Sequence, residues 1–451
     1  MKKLLIANRG EIACRVMDSA RRAGIRTVAV YSEADANARH VELADERVAI
    51  GPATARDSYL AVDKILAAAA ETGADAVHPG YGFLSENADF ACAVIAAKLI
   101  WVGPTPQSIE EMGDKARARA LAAEADVPLL PGTDVIADDA ADLDAQAAAT
   151  GFPLLIKAAA GGGGIGMQQV DKPEQLAKKV ASTRSMAERA FGNGSVFLER
   201  FVRNARHIEV QVFGNGDGTA VTLGERECSI QRRFQKVIEE APAPGLPAPT
   251  RTALVSAARR LTESVAYSGA GTIEFIVDAD SWEFFFLEMN TRIQVEHPAT
   301  EMAYGVDLVD MQLRHAAGET YKEVPSQPAH HAIECRLYAE NPAKRFFPSP
   351  GPLTTLILPA DLPGVRIDTG FRQGDEVTMY YDPLIAKLIA FGQDRQQAIE
   401  RMRALLAASR VEGIVSNLGF LRNALAHPTF DSGAITTDFI NVHSEALLNG
   451  L

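Results

Sequence analysis

Residues 271–297 read GTIEFIVDADSWEFFFLEMNTRIQVEH, and the function of the chain is best inferred outward from this stretch. Two runs rich in β-branched and aromatic residues, 272–277 and 283–287, flank the turn-type cluster 278–281. Runs of this length on either side of a short polar turn predict a β-hairpin.

Glu274 and Glu288 are the first candidates for metal ligands. A turn centred near residue 281 makes them direct neighbours across the hairpin, with Cβ atoms roughly 4.5–5.5 Å apart. Two carboxylates so close inside apolar strands repel each other and resist ionisation. A hard divalent cation removes that conflict, and Asn290 adds a neutral oxygen. The competing interpretation places both glutamates on the wet face of a sheet, but their apolar neighbours argue against it.

The segment after the hairpin is dense in polar groups. Arg292, Gln294, Glu296 and His297 supply a cation, an amide, a carboxylate and an imidazole in close succession. Together with the paired glutamates they predict a ligand site at the end of these strands.

Composition excludes several classes of protein. The 451 residues are enough for two to four domains, and the net charge of −13 argues against a nucleic-acid binder. Four widely spaced cysteines without a CxxC pair fit a reducing compartment rather than a disulfide framework or a zinc site. No signal peptide and no apolar run of membrane-spanning length is evident, so we expect a cytoplasmic protein without a membrane partner.

The order of elements predicts a mixed α/β chain of several domains (α+β). Strands and helices alternate over residues 1–110, which predicts a parallel, Rossmann-like sheet. The first strand–helix turn, residues 8–11, lacks the glycines of a dinucleotide fingerprint. Residues 225–236 are expected to form a polar loop between strands, and residues 330–451 a β-rich unit.

Residues 161–166 form a glycine-rich loop between two predicted strands, and Lys157 ends the first of them. Glycines let backbone N–H groups approach phosphate oxygens, because no Cβ stands in the way. The loop is not a P-loop, since no Gly-Lys-Ser/Thr follows. A flexible linker is the alternative, but the lysine and the flanking strands favour a mobile phosphate flap.

Taken together, the motifs resemble the biotin carboxylases of the ATP-grasp superfamily. The matching segments are IANRGEIA at 6–13, HPGYGFLSEN at 78–87, MGDK at 112–115, the glycine loop, QRRFQK at 231–236 and EMNTRIQVEHP at 288–298. The resemblance implies a Rossmann-like N-terminal domain over 1–112, an ATP-grasp domain over 113–328 with a mobile glycine-rich lid at about 131–202, and a β-rich C-terminal domain over 329–451.

The family's activity is then expected here: carboxylation of biotin by ATP and bicarbonate through carboxyphosphate. The implied cofactors are ATP as co-substrate and two Mg²⁺ or Mn²⁺ ions, with biotin as the substrate on a separate biotin carboxyl carrier protein. The chain ends without an Ala-Met-Lys-Met attachment motif or a transferase region, so carboxyltransferase subunits are expected as further partners. A homodimer, and the first half-reaction of acetyl-CoA carboxylase in fatty acid synthesis, complete the expectation.

The resemblance also assigns roles to residues. The metal ligands are Glu274, Glu288 and Asn290. The nucleotide ligands are Lys115, Lys157, Gly163, Gly164, Glu199, Arg200, Phe201, Val202, His207, Gln231, Glu274 and Glu288. Among them, Lys115 and Lys157 are implied to bind the phosphates, and residues 199–202 to hold adenine. The residues implied to surround bicarbonate are Lys236, Arg292, Gln294, Val295 and Glu296, with Glu296 as the base that deprotonates it. Arg336 is implied to stabilise the enolate-like oxygen of biotin, and Tyr81 and Gly82 to seat the biotin ring. The catalytic residues are Lys236, Arg292, Glu296 and Arg336.

Two positions depart from the family pattern. Phe234 stands where many members carry histidine, and Ile165 stands in the glycine loop where arginine is common. Both put nucleotide affinity and lid closure in question, but neither belongs to the predicted metal or bicarbonate set.

Three alternatives stay open. The same half-reaction can serve propionyl-CoA or another acyl-CoA, or pyruvate in a split carboxylase. A different ATP-grasp ligase can activate another carboxylate as an acyl phosphate. A nucleotide-binding scaffold with a dead site is the third, and the intact acidic and basic set at 274–296 argues against it.

Overall fold

The computed structural model describes residues 1–136, 142–159 and 166–451. The N-terminal strands are β1 (Lys3–Ile6), β2 (Arg26–Ser32), β3 (Glu46–Gly51), β4 (Ala76–His78) and β5 (Ile100–Trp101). The helices here are α1 (Gly10–Arg22), α2 (Arg39–Leu43), α3 (Val62–Thr72), α4 (Ala88–Ala96) and α5 (Pro106–Gly113). The strands form one parallel sheet in the order β3-β2-β1-β4-β5, which confirms the predicted Rossmann-like domain. Ile12, Val16 and Ala20, spaced four apart on α1, pack in its core.

A small antiparallel sheet follows. Its elements are α6 (Lys115–Glu124), α7 (Leu143–Thr150), β6 (Leu154–Ala158), β7 (Met167–Val170), α8 (Leu176–Phe191) and β8 (Val196–Arg200). The strand order is β7-β6-β8, and the core includes Ile156, Val180 and Leu198. Residues 161–165 of the predicted phosphate loop, with Gly163, Gly164 and Ile165, lie outside the described residues.

The next elements carry the candidate site. They are β9 (Ala205–Asn215), β10 (Ala220–Arg232), β11 (Gln235–Ala241), α9 (Ala248–Ser264), β12 (Ser268–Asp278), β13 (Phe284–Asn290), α10 (His297–Tyr304) and α11 (Leu308–Ala316). The predicted hairpin is β12 and β13. Among the described residues, no helix is both long and apolar enough to cross a bilayer.

The C-terminal part continues the same sheet. Its strands are β14 (His331–Tyr338), β15 (Glu340–Asn341), β16 (Phe347–Pro348), β17 (Gly351–Pro352), β18 (Thr355–Ile357), β19 (Val365–Thr369), β20 (Glu376–Val377), β21 (Leu384–Gly392) and β22 (Arg410–Glu412). Its helices are α12 (Arg395–Ala408), α13 (Leu418–Ala426), α14 (Pro428–Ser432), α15 (Phe439–Val442) and α16 (Ser444–Leu448). An eight-stranded antiparallel sheet, β13-β12-β9-β10-β11-β14-β21-β19, therefore crosses the predicted boundary near residue 328.

The expected polar loop at 225–236 is wrong, because β10 and β11 extend through it. Several of its charged residues are paired inside the protein: Arg226, for example, is fully buried against Glu209. The turn itself is only Arg233 and Phe234, with φ of +50° and +67°. A type I′ hairpin turn needs positive φ at both central positions and is usually indicated by glycine or asparagine, which this turn lacks.

Two glycines with the same backbone conformation test how tightly this sheet is covered. Gly224 and Gly245 both have φ of +65°, but a Cβ at Gly224 would lie 1.7 Å from the Tyr304 hydroxyl oxygen, whereas a Cβ at Gly245 meets nothing within 4 Å. A left-handed alanine costs roughly 1–2 kcal/mol at either position. Overpacking adds about 1–3 kcal/mol for Gly224→Ala alone. We expect Gly224→Ala to lower the thermal midpoint clearly more than Gly245→Ala, and equal shifts would contradict this packing.

Candidate active site

The hairpin brings Glu274 and Glu288 into direct opposition, which confirms the predicted pairing. The register shifts before the next pair, Phe275 and Phe286, so Leu287 is an extra residue forming a β-bulge. Both phenylalanines belong to the core packed against α9. Because successive pairs on a ladder face opposite ways, the two glutamates point away from that core. Glu274 is buried, and Glu288 is exposed to solvent.

Glu274 is surrounded by hydrogen-bond donors. Its Oε1 accepts from Lys236 Nζ at 2.6 Å, Gln294 Nε2 at 2.8 Å and Asn290 Nδ2 at 3.0 Å. Its Oε2 lies 2.8 Å from His207 Nε2. Burial alone would raise the pKa of Glu274, but the charges of Lys236 and His207 outweigh it and hold this pKa well below its usual range. Glu274 is therefore a buried anion at neutral pH.

Lys236 is the centre of the cluster. Its ammonium group bonds to Glu209, to Glu274, and to Glu296 Oε1 at 2.8 Å. Burial would lower the pKa of Lys236, but these three carboxylates raise it well above its usual value. Glu209 was not among the predicted site residues. The sequence did contain an indication of its position. Glu209 lies two residues after His207 on β9, and residues two apart on a strand point to the same face.

Glu296 lies between two cations. Arg336 Nη2 donates to Glu296 Oε2 at 2.9 Å, while Lys236 holds the other oxygen. Burial is again outweighed, so these cations keep the pKa of Glu296 well below its usual range. The Arg336 Nε donates in turn to Glu239 Oε1 at 2.6 Å. Burial raises the pKa of Glu239 to about 7.

The remaining residues of the predicted bicarbonate set line the same segment. Arg292 donates to Asn290 Oδ1 at 2.7 Å and pairs with Glu86 at 3.0 Å, a contact that the sequence did not predict. Gln294 Oε1 accepts from buried Arg226 at 3.1 Å. The Val295 carbonyl accepts a hydrogen bond as well, and Gln231 pairs with Lys236 across the ladder. Gln294 therefore contacts Glu274 directly, Arg292 reaches it through Asn290, and Val295 lies in the same segment of chain.

The predicted phosphate lysines, Lys115 and Lys157, lie near the carboxylates of Glu288 and Glu199. Lys157 Nζ donates to Glu199, whose other oxygen accepts from Arg119 on α6. Burial and the charge of Lys157 lower the pKa of Lys115, and the charge of Glu288 opposes that shift. Lys115 therefore lies close enough to Lys157 and Glu288 to interact with their charges. Arg119 was missed, since one arginine on an alanine-rich helix carries no signal of its own.

The segment predicted to hold adenine, residues 199–202, contains one backbone N–H group that is a candidate ligand contact. The Arg200 and Phe201 N–H groups bond to the carbonyls of Pro131 and Pro153 at 2.8 and 3.0 Å. Within the described ranges, no group accepts from the N–H of Val202, a buried residue. Buried backbone donors are nearly always paired, so this N–H is a candidate contact for an aromatic ring nitrogen.

Tyr81 and Gly82, the predicted biotin seat, lie in the loop after β4. Asn8 Nδ2 donates to the Tyr81 carbonyl at 2.7 Å, and a left-handed Gly82 with φ of +67° follows. These contacts fix the loop against the first strand–helix turn.

Glu288, Glu274 and Asn290 fit a hard divalent cation by their chemistry, since all three offer oxygen. Desolvation by the surrounding protein and the negative charge of Glu274 raise the pKa of the exposed Glu288. A cation bound beside Glu288 would lower this pKa. Glu274 and Asn290 now bond to the chain's own donors, so they would exchange those partners for the metal.

Comparison with known proteins gives matches along nearly the whole chain. Residues 1–109 match the biotin carboxylase N-terminal domain, 114–324 the ATP-binding domain of the carbamoyl-phosphate synthase L chain, and 334–442 the biotin carboxylase C-terminal domain. The Bacillus subtilis protein named biotin carboxylase 1 is 45% identical over 445 residues, covering 98% of this chain and 99% of that protein.

The mouse (Mus musculus) methylcrotonoyl-CoA carboxylase subunit alpha is 48% identical over 450 residues. That match covers 99% of this chain but only 62% of the mouse subunit. The biotin carboxylase domain of Hydrogenobacter thermophilus 2-oxoglutarate carboxylase, solved as a dimer with MgADP, ADP and bicarbonate, superposes with a TM-score of 0.93 at 41% identity, covering 100% of this chain and 99% of that one.

The paired glutamates are tested by cation binding alone. We expect Glu288→Gln to weaken Mn²⁺ binding at least tenfold, because it removes the carboxylate most open to a cation, and EPR of free Mn²⁺ measures this. Wild-type affinity should also fall as pH is lowered through the raised pKa of Glu288, since protons compete for its oxygens. Glu263→Gln, at a half-buried position on α9 where Glu263 pairs with Arg259, is the matched control and should bind as wild type. Equal Mn²⁺ affinity in both variants would rule out this pair.

Proposed function

The chain belongs to the biotin carboxylase family, and we propose that it carboxylates biotin on a separate carrier protein with ATP and bicarbonate. ATP is the co-substrate, and Mg²⁺ or Mn²⁺ is the metal. The observation that carries the proposal is the Lys236 ammonium, which bonds to both Glu274 and Glu296. This one group joins a predicted metal ligand to the predicted base, so metal, nucleotide phosphates and bicarbonate share one small site.

Bicarbonate binds beside Lys236, Arg292, Gln294 and the Val295 N–H in this proposal. Without an anion, Lys236 and Arg336 both pair with Glu296 and make it a weak base. A bound bicarbonate draws these cations to its own charge. Glu296 then loses pairing and gains basicity, so the substrate activates the group that deprotonates it.

The proton moves from bicarbonate to Glu296, and the bicarbonate oxygen attacks the γ-phosphorus of ATP. ADP leaves, and carboxyphosphate forms. A bound cation neutralises the charge on the phosphate oxygens. The Lys157 side chain, now paired with Glu199, is free to exchange that carboxylate for a phosphate group, with Lys115 nearby.

Carboxyphosphate then releases CO₂ and phosphate. Phosphate takes the proton from the ureido nitrogen of biotin, and that nitrogen attacks CO₂. Arg336 stabilises the negative charge on the ureido oxygen. Glu239 supports this role, because its bond at 2.6 Å holds the Arg336 Nε and leaves the Nη2 side turned to the reaction site.

The acyl acceptor is a separate proposal. Acetyl-CoA, and with it fatty acid synthesis, is the acceptor expected from the sequence. The 48% identity to a methylcrotonoyl-CoA carboxylase subunit favours a branched acyl-CoA as the second candidate. The chain spans 62% of that subunit. As the family resemblance implies, carrier and transferase functions are proposed for partner polypeptides. Reconstitution with the carrier and transferase encoded nearby, offered each acyl-CoA in turn, decides between the two.

We also propose a homodimer, supported by the dimer named for the Hydrogenobacter domain. The cytoplasmic location stays a prediction from the widely spaced cysteines, the N-terminal sequence and the lack of an apolar run of membrane-spanning length.

The proposed base gives a direct test. We expect Glu296→Gln to reduce bicarbonate- and biotin-dependent ADP formation at least a hundredfold, because general-base catalysis contributes typically 10²–10⁴-fold. ADP affinity, measured by calorimetry, should stay within threefold of wild type. Glu445→Gln, exposed on α16, is the control and should be fully active. Near-normal turnover by Glu296→Gln would refute the base assignment.

The whole proposal depends on one assay, ADP release with free biotin, with and without bicarbonate and with the carrier protein added. Release must require both bicarbonate and biotin or its carrier. ATP use that ignores biotin but responds to another acid and amine would assign the site to a different ATP-grasp ligase.

A further inference from the structure

Three neighbouring strands place charged residues in one row across the sheet. Lys387 on β21 lies directly opposite Arg336 on β14 and opposite Asp368 on β19. Directly opposed residues in a sheet share a face. The row therefore continues from the proposed biotin-stabilising arginine to a lysine and an aspartate with no role in the mechanism above.

Lys387 is fully buried, and its ammonium group meets all three parts of the chain. It lies 3.0 Å from Glu11 Oε2 on α1 and 3.7 Å from Asp368 Oδ2. It donates to the Val295 carbonyl at 3.1 Å and stands 6.0 Å from the centre of the Tyr81 ring. A lysine is almost never fully buried unless it is paired, so these contacts define its position.

The contact with Val295 is the one that bears on chemistry. The Val295 carbonyl belongs to the peptide that joins Val295 to Glu296, so fixing this oxygen fixes the plane of that peptide. One end of Val295 carries the N–H proposed for bicarbonate, and the other leads to the proposed base. A charged donor makes a stronger hydrogen bond to a carbonyl than a neutral one does.

The Lys387 ammonium group also lies between the sites proposed for bicarbonate and for biotin. Tyr81 belongs to the proposed biotin seat, and Glu11 holds Lys387 from the N-terminal domain. Movement of the Val295 segment away from Lys387 would therefore change the distance between bicarbonate and biotin. Misplacement of reacting groups by about 1 Å can cost on the order of 10²-fold in rate.

We propose that Lys387 is a positioning residue that fixes the Val295–Glu296 peptide relative to Arg336 and the biotin seat. The proposal rests on the biotin carboxylase function proposed above. None of the Lys387 contacts described above is with a residue proposed to bind nucleotide or metal. Loss of Lys387 should therefore affect bicarbonate binding and carboxyl transfer and leave ADP binding intact.

The test compares Lys387→Met, Lys387→Arg and the double variant Lys387→Met/Glu11→Gln in the free-biotin ATPase assay. Lys387→Met should raise the KM for bicarbonate and lower kcat/KM about 10- to 100-fold. ADP affinity should stay within twofold. Lys387→Arg keeps a charged donor and should recover much of kcat/KM.

The double variant separates positioning from stability. Lys387→Met leaves Glu11 without its cation, and Glu11→Gln removes that carboxylate, so the thermal midpoint should rise again while the bicarbonate defect stays. Arg395→Met removes another ion pair, between the partly buried Arg395 and the buried Glu240, whose residues have no role in the proposed mechanism. It should lower the midpoint without changing the KM for bicarbonate.

Two outcomes overturn the inference. A bicarbonate KM within twofold of wild type in Lys387→Met is one, and recovery of kcat/KM together with the midpoint in the double variant is the other. If Lys387→Met does not fold, the arginine and double variants carry the same comparison. A wild-type enzyme without bicarbonate- and biotin-dependent ATPase would instead overturn the proposed function.

Discussion

The structure of the site depends on one ammonium group shared among three buried carboxylates. Lys236 neutralises part of the charge of Glu209, Glu274 and Glu296, and each of these would be costly to bury alone. Removing one partner of a buried ion pair typically costs about 3–5 kcal/mol, because the other charge remains. Strands β9, β11 and β12 and the segment after β13 are therefore held in one arrangement by electrostatics as well as by packing.

The antiparallel sheet makes that arrangement possible. Its pleat sends Phe275, Phe286 and other apolar side chains into the core against α9, and sends the charged side chains to the opposite face. Arginines then complete the compensation, with Arg226 on Glu209 and Arg336 on Glu296. Since the sheet runs on through β14 and β21, residues from the ATP-grasp and C-terminal parts share one rigid face.

Much of this could be predicted where the signal is local. The hairpin, the opposition of Glu274 and Glu288 and the alternation on β9 follow from a period of two residues and a recognisable turn. The rest could not be predicted from local patterns. In the sequence, the buried charged residues of β10 resemble a solvent-exposed loop, because the partners that neutralise them come from other strands. Arg119 and Lys387 reach the site through contacts between residues far apart in the chain, and nothing near them in sequence indicates this. Glu86 lies in the matched segment 78–87, but its partner Arg292 is far from it in sequence.

The extra residue Leu287 constrains how this hairpin can be exchanged between relatives. On a regular strand, residues two apart such as Phe286 and Glu288 would face the same side of the sheet. Because of the bulge, they face opposite sides instead. Regular alternation then resumes, so Asn290 faces the same side as Glu288. A chimaera whose junction lies inside β13 must therefore conserve the residue count as well as the residue types, because a donor segment one residue longer or shorter after the bulge would direct its carboxylate into the apolar layer.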